Sequence, residues 1–266
     1  MQNFNYHTHT YRCGHADPSI FDEEYVELFI KKGFKKIAFT DHCPHKERFE
    51  PINNIRMDYT QKEDYYNSID SLKEKYKDVI EIEKGFEFEY LPSLKEYLKE
   101  LKSETDKMVL GQHFVYSHEG NYISIGWQRA KDEDLISYAR HIEMAMKEGL
   151  PDIVAHPDLF MLNIDKFGEI EEKVTRIICE AAEKYNVPLE INLSRAIRYI
   201  CKITNRIEYP NKDFWRIATD YNIKVLYGVD AHYRNQIELY EESVKIVNDH
   251  LGKDIIEKLK FCDEKL

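Results

Sequence analysis

Short apolar runs alternate along the chain with longer stretches that are apolar on one side only. The first run, residues 3–6, sets Phe4 and Tyr6 against polar Asn3 and Asn5, the two-residue period of a strand. Six further runs predict strands at 36–40, 79–86, 108–110, 152–155, 187–191 and 224–229. The stretches between them carry helical spacing. Tyr25, Val26, Leu28, Phe29 and Ile30 form the apolar side of a helix that opens at Asp17-Pro18-Ser19, with Pro18 in its first turn, and stops at Gly33. Tyr65, Tyr66, Ile69, Leu72 and Tyr76 make a core-facing stripe over 61–77. Helices are also expected over 93–102, 132–147, 169–185 and 210–221, and the C-terminal region is expected to be helical. The stretch 43–59 is long, polar and proline-containing, which suits an active-site loop. A loop with Gly120, Gly126 and Trp127 follows the fourth strand.

Seven strand–helix alternations predict an α/β fold with a parallel sheet and crossover helices. The short apolar strands suit burial on both faces. Nearly every strand end carries a metal-type residue, whereas an open doubly wound sheet would gather ligands at one switch point. A closed barrel brings all the C-terminal strand ends to one mouth, and seven strands make it a distorted one. With no repeat, linker or low-complexity segment, residues 1–266 are expected to form a single domain.

The strand ends hold His7 and His9, His42, Glu87, His113, His156, then Asp230 and His232, with His15 just past the first. Seven of the eleven histidines fall at or directly after these positions; His45, His118, His141 and His250 look incidental. Converging imidazoles and carboxylates cannot share a core cheaply, since each buried polar group left unpaired costs ~1–3 kcal/mol. The pattern therefore predicts a multinuclear metal site.

Composition narrows the setting. A hydrophobic content of 42% supports a sizeable core, and a net charge of -11 argues against an extended nucleic-acid partner. A small phosphorylated substrate stays compatible, because bound metals reverse the local field. The five cysteines are odd in number, widely spread and without a Cys-x-x-Cys pair, the usage of a reducing compartment. No basic-then-apolar leader and no run of 18 apolar residues stands in the sequence, so a cytoplasmic protein without membrane attachment is expected. The mixed Lys/Glu helix faces give no oligomeric state.

His7-Thr8-His9, Thr40-Asp41-His42, Gly85-Phe86-Glu87, Gly111-Gln112-His113, Ala155-His156-Pro157 and Gly228-Val229-Asp230-Ala231-His232, in this order, resemble the polymerase and histidinol phosphatase (PHP) family. Within that family the resemblance is to the histidinol-phosphate phosphatases, and it runs from the first strand to the seventh. It implies a distorted (β/α)7 TIM-like barrel holding three divalent cations. His7, His9, Glu87 and Asp230 would hold the first; Glu87 would bridge to a second, completed by His113 and His156; His15, His42 and His232 would hold the third. The donor chemistry agrees, since imidazoles with few carboxylates suit zinc, manganese or iron over calcium or magnesium. Glu89 shares a strand face with Glu87 and is the rival bridge. Asp41 and Asp158 are placed to orient imidazoles or to serve as ordinary caps.

The resemblance implies hydrolysis of a phosphomonoester, with a metal-bridging hydroxide attacking phosphorus in line with the departing alcohol. Arg195, and after it Arg198, is the expected guanidinium for the phosphoryl charge, and Asp17 or His42 the expected proton source for the leaving group. L-Histidinol phosphate is the expected substrate. Histidinol-phosphate phosphatases commonly carry a basic residue soon after the fifth-strand histidine, and residues 158–163 contain none. Either Arg198 or Arg129 replaces it or the substrate differs. Other readings are a phosphoesterase of nucleotides or oligonucleotides (an exonuclease among them), a phosphotyrosine phosphatase, and a metal-binding barrel without catalysis.

Overall fold

The seven expected strands form in order and lie side by side in one parallel sheet, and an eighth joins it at the C-terminal end. The computed structural model describes residues 1–46, 55–117, 120–128 and 130–263. Part of the expected 43–59 loop, with His118 and Arg129, lies outside the described residues. From β1 (Phe4–Asn5) the chain passes through α1 (Asp22–Lys31) to β2 (Lys36–His42) and through α2 (Lys62–Tyr76) to β3 (Glu81–Phe88). After α3 (Lys95–Glu104) and β4 (Lys107–Leu110), β5 (Phe114–Tyr116) and β6 (Tyr122–Ser124) form an antiparallel hairpin where a plain loop was expected. Then come α4 (Asp132–Lys147), β7 (Ile153–Val154), α5 (Glu169–Tyr185) and β8 (Leu189–Asn192). The last part runs α6 (Ser194–Ile200), α7 (Lys212–Ala218), β9 (Lys224–Gly228), α8 (Arg234–Glu238), α9 (Tyr240–Leu251), α10 (Lys253–Ile256) and β10 (Lys260–Phe261).

Local chemistry sets the element ends. In α5, Glu169, Glu171 and Glu172 crowd the positive N-terminal turn, and Asn186 stops the helix in the left-handed region at φ 52°. The first helix begins at Asp22 and not at Asp17, a correction to the sequence reading. Asp17 spends its carboxylate on a local turn, accepting from the Ser19 N–H and hydroxyl at 2.9 and 2.6 Å, while its own N–H donates to the His232 carbonyl. The C-terminal region is helical as expected except for β10, two residues too short to leave a periodic signal.

The sheet order is β1-β2-β3-β4-β7-β8-β9-β10, and it curls until its first and seventh strands meet. Thr8 bridges to Ala231 at that seam, with the His9 N–H donating to the Ala231 carbonyl at 2.9 Å. Lower down, side-chain amides do the work of a strand edge. Gln2 pairs with both backbone groups of Tyr227 at 2.7 and 2.9 Å, and Asn5 accepts from the Val229 N–H at 2.9 Å. Seven apolar side chains (Phe4, Tyr6, Ala38, Val109, Ile153, Ala155, Leu226) pack inside the barrel, and the larger core lies between sheet and helices. The inner packing occupies the early part of the strands, leaving their C-terminal ends for polar chemistry.

Candidate metal centre

Strand register brings the polar side chains together. The β2–β3 ladder pairs Lys36 with Glu81 and, six residues on, His42 with Glu87, so these two stand side by side at the mouth. Two interior glycines make the room: a Cβ on Gly111 would lie 1.9 Å from Glu87 Oε1, and one on Gly228 would lie 1.7 Å from an oxygen of Glu190. The glycines of the Gly-Gln-His and Gly-Val-Asp stretches thus leave space for carboxylates on neighbouring strands.

His7, His9, Glu87 and Asp230 form a tight cage. His7 Nε2 lies 3.1 Å from His9 Nε2, 3.4 Å from Glu87 Oε2 and 3.5 Å from Asp230 Oδ1. His9 Nε2 lies 3.4 Å from the same Glu87 oxygen and 3.3 Å from the same Asp230 oxygen. Donors at about 2.0–2.2 Å from a tetrahedral ion stand about 3.3–3.6 Å apart, so this donor set fits a transition-metal ion. On the other side of Glu87, Oε1 is 2.9 Å from His156 Nε2 and 3.6 Å from His113 Nε2. His15, His42 and His232 make a third group, with one donor atom from each lying within 4.8 Å of the others. The nine expected ligands gather around one mouth, and the groups run into one another: His42 Nδ1 lies 3.1 Å from Glu87 Oε2, and His9, Cys13 and His232 also bring donor atoms within 4.8 Å of one another. A metal also answers their polar bookkeeping: Glu87 Oε2, His42 Nδ1 and His232 Nε2 are buried without a hydrogen-bond partner among the described residues.

Electrostatics sort these groups into donor forms. Burial pushes His42 and His232 well below the ordinary histidine value, and it lowers His15 as well, so all three are neutral. Burial alone would raise the Glu87 and Asp230 carboxyls, yet the surrounding imidazoles hold both well below the usual carboxylate range. His7 and His9 go the other way. Burial would lower them, but Glu190, Asp230 and Glu87 raise His7 well above its ordinary value, and Asp230 and Asp41 bring His9 to about 9.

The other expected site residues fall into two groups. Asp17, Arg195 and Arg198 line the same cavity of about 1000 Å³ as His42, Glu87 and Asp230. The Arg195 guanidinium lies 5.4 Å from the centre of the Tyr209 ring, and its buried Nε has no hydrogen-bond partner among the described residues. Glu89, the rival bridge, turns away from the cage; it faces His113 Nδ1 at 3.0 Å and pairs with Arg56 at 3.2 Å. Asp41 serves His9 more than His42: one oxygen lies 3.6 Å from His9 Nδ1 and accepts the His42 N–H at 2.9 Å, while the other accepts the Thr10 N–H. Asp158 makes no hydrogen bond or ion pair with an imidazole among the described residues; it accepts from the Asn211 N–H at 2.6 Å and from Trp215 Nε1 at 3.1 Å. Two residues escaped the sequence reading. Glu190 is a further buried carboxylate, 2.8 Å from His7 Nδ1, and Arg56 anchors Glu89. A charged residue inside the apolar run Leu189-Glu190-Ile191 was the one available signal for Glu190.

The PHP domain model matches residues 5–194, and the chain belongs to that family. It is 27% identical over 155 residues to the histidinol-phosphatase of Bacillus subtilis (strain 168), an alignment covering 56% of this chain and 57% of that protein. It is 26% identical over 277 residues to the probable histidinol-phosphatase of Schizosaccharomyces pombe, covering 95% of this chain and 85% of that protein. The crystal structure of a histidinol phosphate phosphatase from Lactococcus lactis, complexed with zinc, L-histidinol and phosphate, shares the fold. It superposes with a TM-score of 0.67 over 93% of this chain and 94% of that one, at 16% identity.

Proposed function

We propose that this protein is a metal-dependent phosphomonoesterase that converts L-histidinol phosphate to L-histidinol and phosphate. The observation that carries the reading is the nine-residue donor set with Arg195 in the same cavity, a combination made for a small dianionic phosphoryl group. Two histidinol-phosphatase relatives and the shared fold of a histidinol-bound phosphatase support the substrate.

His7, His9, Glu87 and Asp230 would hold one divalent ion, Glu87 with His113 and His156 a second, and His15, His42 and His232 a third; zinc, manganese and iron suit these donors. Such ions, when bound, make water acidic enough to attack phosphorus and draw charge off the phosphoryl oxygens. The chain's own contribution is positioning and proton handling. Arg195, with its guanidinium 5.4 Å from the centre of the Tyr209 ring, brings a planar set of N–H donors to the cavity wall, and Arg198 adds a second cation there in place of the basic residue missing from 158–163. Asp17 is held below the ordinary carboxyl value by the Ser19 hydroxyl and N–H, so it enters the reaction ionised. In our assignment it takes the proton of the attacking water and returns it to the leaving alkoxide. His42 remains a neutral ligand.

Phosphate release from L-histidinol phosphate, compared with generic phosphomonoesters and single-stranded DNA, tests the reading. A kcat/KM for histidinol phosphate at least ~100-fold above the others, or ~2.7 kcal/mol of discrimination, is expected, together with its loss in Glu87→Ala. Equal turnover of generic esters would sink the substrate assignment. Full metal loading with no hydrolysis of any ester would sink the enzyme.

A further inference from the structure

We infer that Glu190 and Asn192 of β8 are positioning residues that clamp metal ligands from three other parts of the barrel, an inference resting on the ligand assignment above. Neither side chain belongs to the nine-residue donor set. Glu190 Oε1 accepts from His7 Nδ1 at 2.8 Å, which leaves the lone pair of His7 on Nε2, the atom that faces His9, Glu87 and Asp230. The other oxygen, Oε2, accepts from the His156 backbone N–H at 3.0 Å and from Asn192 Nδ2 at 2.8 Å. Asn192 Nδ2 also lies 3.2 Å from Asp230 Oδ2, leaving Oδ1 of that carboxylate to the cage. Two side chains on one strand therefore fix ligands after β1, after β7 and after β9.

Backbone geometry supports the clamp independently. His156 and Asp230 are held at φ 30° and φ 53°, in the left-handed region that residues with a Cβ rarely adopt. Such conformations persist where surrounding contacts over-determine them, and both residues are direct partners of Glu190 or Asn192. Gly228 belongs to the same device, because any side chain there would collide with Glu190.

The clamp needs a carboxylate. All three partners of Glu190 are donors, the His7 ring N–H, the His156 N–H and the Asn192 amide, and they share two acceptor oxygens. In Glu190→Gln an NH2 must face one of them. The His7 proton then moves to Nε2, or a backbone donor is left unpaired.

Zinc competition against a chromophoric chelator, with ions per chain counted by elemental analysis, tests this. Glu190→Gln is expected to weaken by about 10–100-fold the two zinc ions that share Glu87, whose ligands His7 and His156 it holds, and to leave the ion of His15, His42 and His232 at wild-type affinity. Asn192→Ala, which keeps Glu190, is expected to weaken the ion of His7, His9, Glu87 and Asp230, and by less. A merely structural role would lower the unfolding temperature of metal-free protein and weaken every ion alike, and that pattern would overturn the inference. Unchanged zinc affinity and stoichiometry in Glu190→Gln would do so as well. If Glu190→Gln does not fold, Asn192→Ala decides by the same criterion. Both readouts are independent of substrate: wild-type protein that binds zinc and releases no phosphate would sink the proposed reaction and leave the clamp standing.

Discussion

Arg56 donates to Glu89 at 3.2 Å from both terminal nitrogens, and Oε1 of that buried carboxylate also lies 3.0 Å from His113 Nδ1. Burial alone would raise the Glu89 carboxyl, but Arg56 and His113 hold it at about 2. Arg56→Met therefore strands a negative charge in the interior and is expected to cost about 3–5 kcal/mol at neutral pH, read from urea unfolding. Because the folded value lies below the ordinary 4.5, the stabilisation is full above that pH and fades as pH falls towards 2. The gap between wild type and variant should narrow in acid. A variant as stable as wild type at pH 7 would mean that the pair contributes nothing.

Arg195 combines a buried Nε that has no hydrogen-bond partner among the described residues with a place in the cavity that His42, Glu87 and Asp230 line. Arg195→Lys keeps the charge and loses the planar fork as well as the stacking on Tyr209. We expect kcat/KM for the phosphomonoester to fall about 10²–10³-fold, the usual effect of removing one preorganised donor from a developing charge, with metal content unchanged. Steady-state kinetics beside elemental analysis checks this. A fall that tracks lost metal would reassign Arg195 to the scaffold.

These contacts also mark where sequence reading stops. Six of the seven strand ends were legible because each is a local pattern, an apolar run followed by His, Glu or Asp, and a parallel barrel turns these local patterns into one mouth. Arg56, Glu89 and Glu190 take their roles from partners many residues away, and no spacing in the chain encodes that Glu190 faces His7 across the seam. Asp17 misled for the opposite reason: Asp-Pro-Ser is a good helix opening, yet the stretch closes as a local turn, with Ser19 on the Asp17 carboxylate and the Ile20 N–H on its carbonyl, and the helix began at Asp22. Asp158 reads as a neighbour of His156 in sequence, while its carboxylate is committed to Asn211 and Trp215.

Chelation should act on stability as well as on turnover. The cage brings five imidazole–imidazole and imidazole–carboxylate separations into 3.1–3.5 Å, and raised His7 and His9 values show how strongly that cluster seeks positive charge. An ion present at a thousand times its dissociation constant adds about 4 kcal/mol to the folded state. Dialysis against a strong chelator is therefore expected to lower the unfolding temperature and abolish hydrolysis. Zinc or manganese should restore both, and calcium should restore neither. An unfolding temperature indifferent to chelator would argue that the imidazoles hold no metal.

Asp158 gives a pH dependence of opposite sign to that of Glu89. It is fully buried, and burial outweighs the hydrogen bonds from Asn211 and Trp215 and raises its carboxyl from 3.8 to about 6. Between those two values the native state keeps a proton that the unfolded chain has lost, so stability falls as pH rises through the window and stays lower above it. The full penalty is of order 3 kcal/mol for a shift of this size. Asp158→Asn removes the titration. Its carbonyl oxygen can accept from both the Asn211 N–H and Trp215 Nε1, and its NH2 takes the place of Oδ1, which has no hydrogen-bond partner among the described residues. Urea unfolding across the range should find the variant close to wild type near pH 4 and more stable than wild type above pH 6. Parallel curves for the two proteins would show that Asp158 stays ionised in the fold, stabilised by a contact stronger than the two named here.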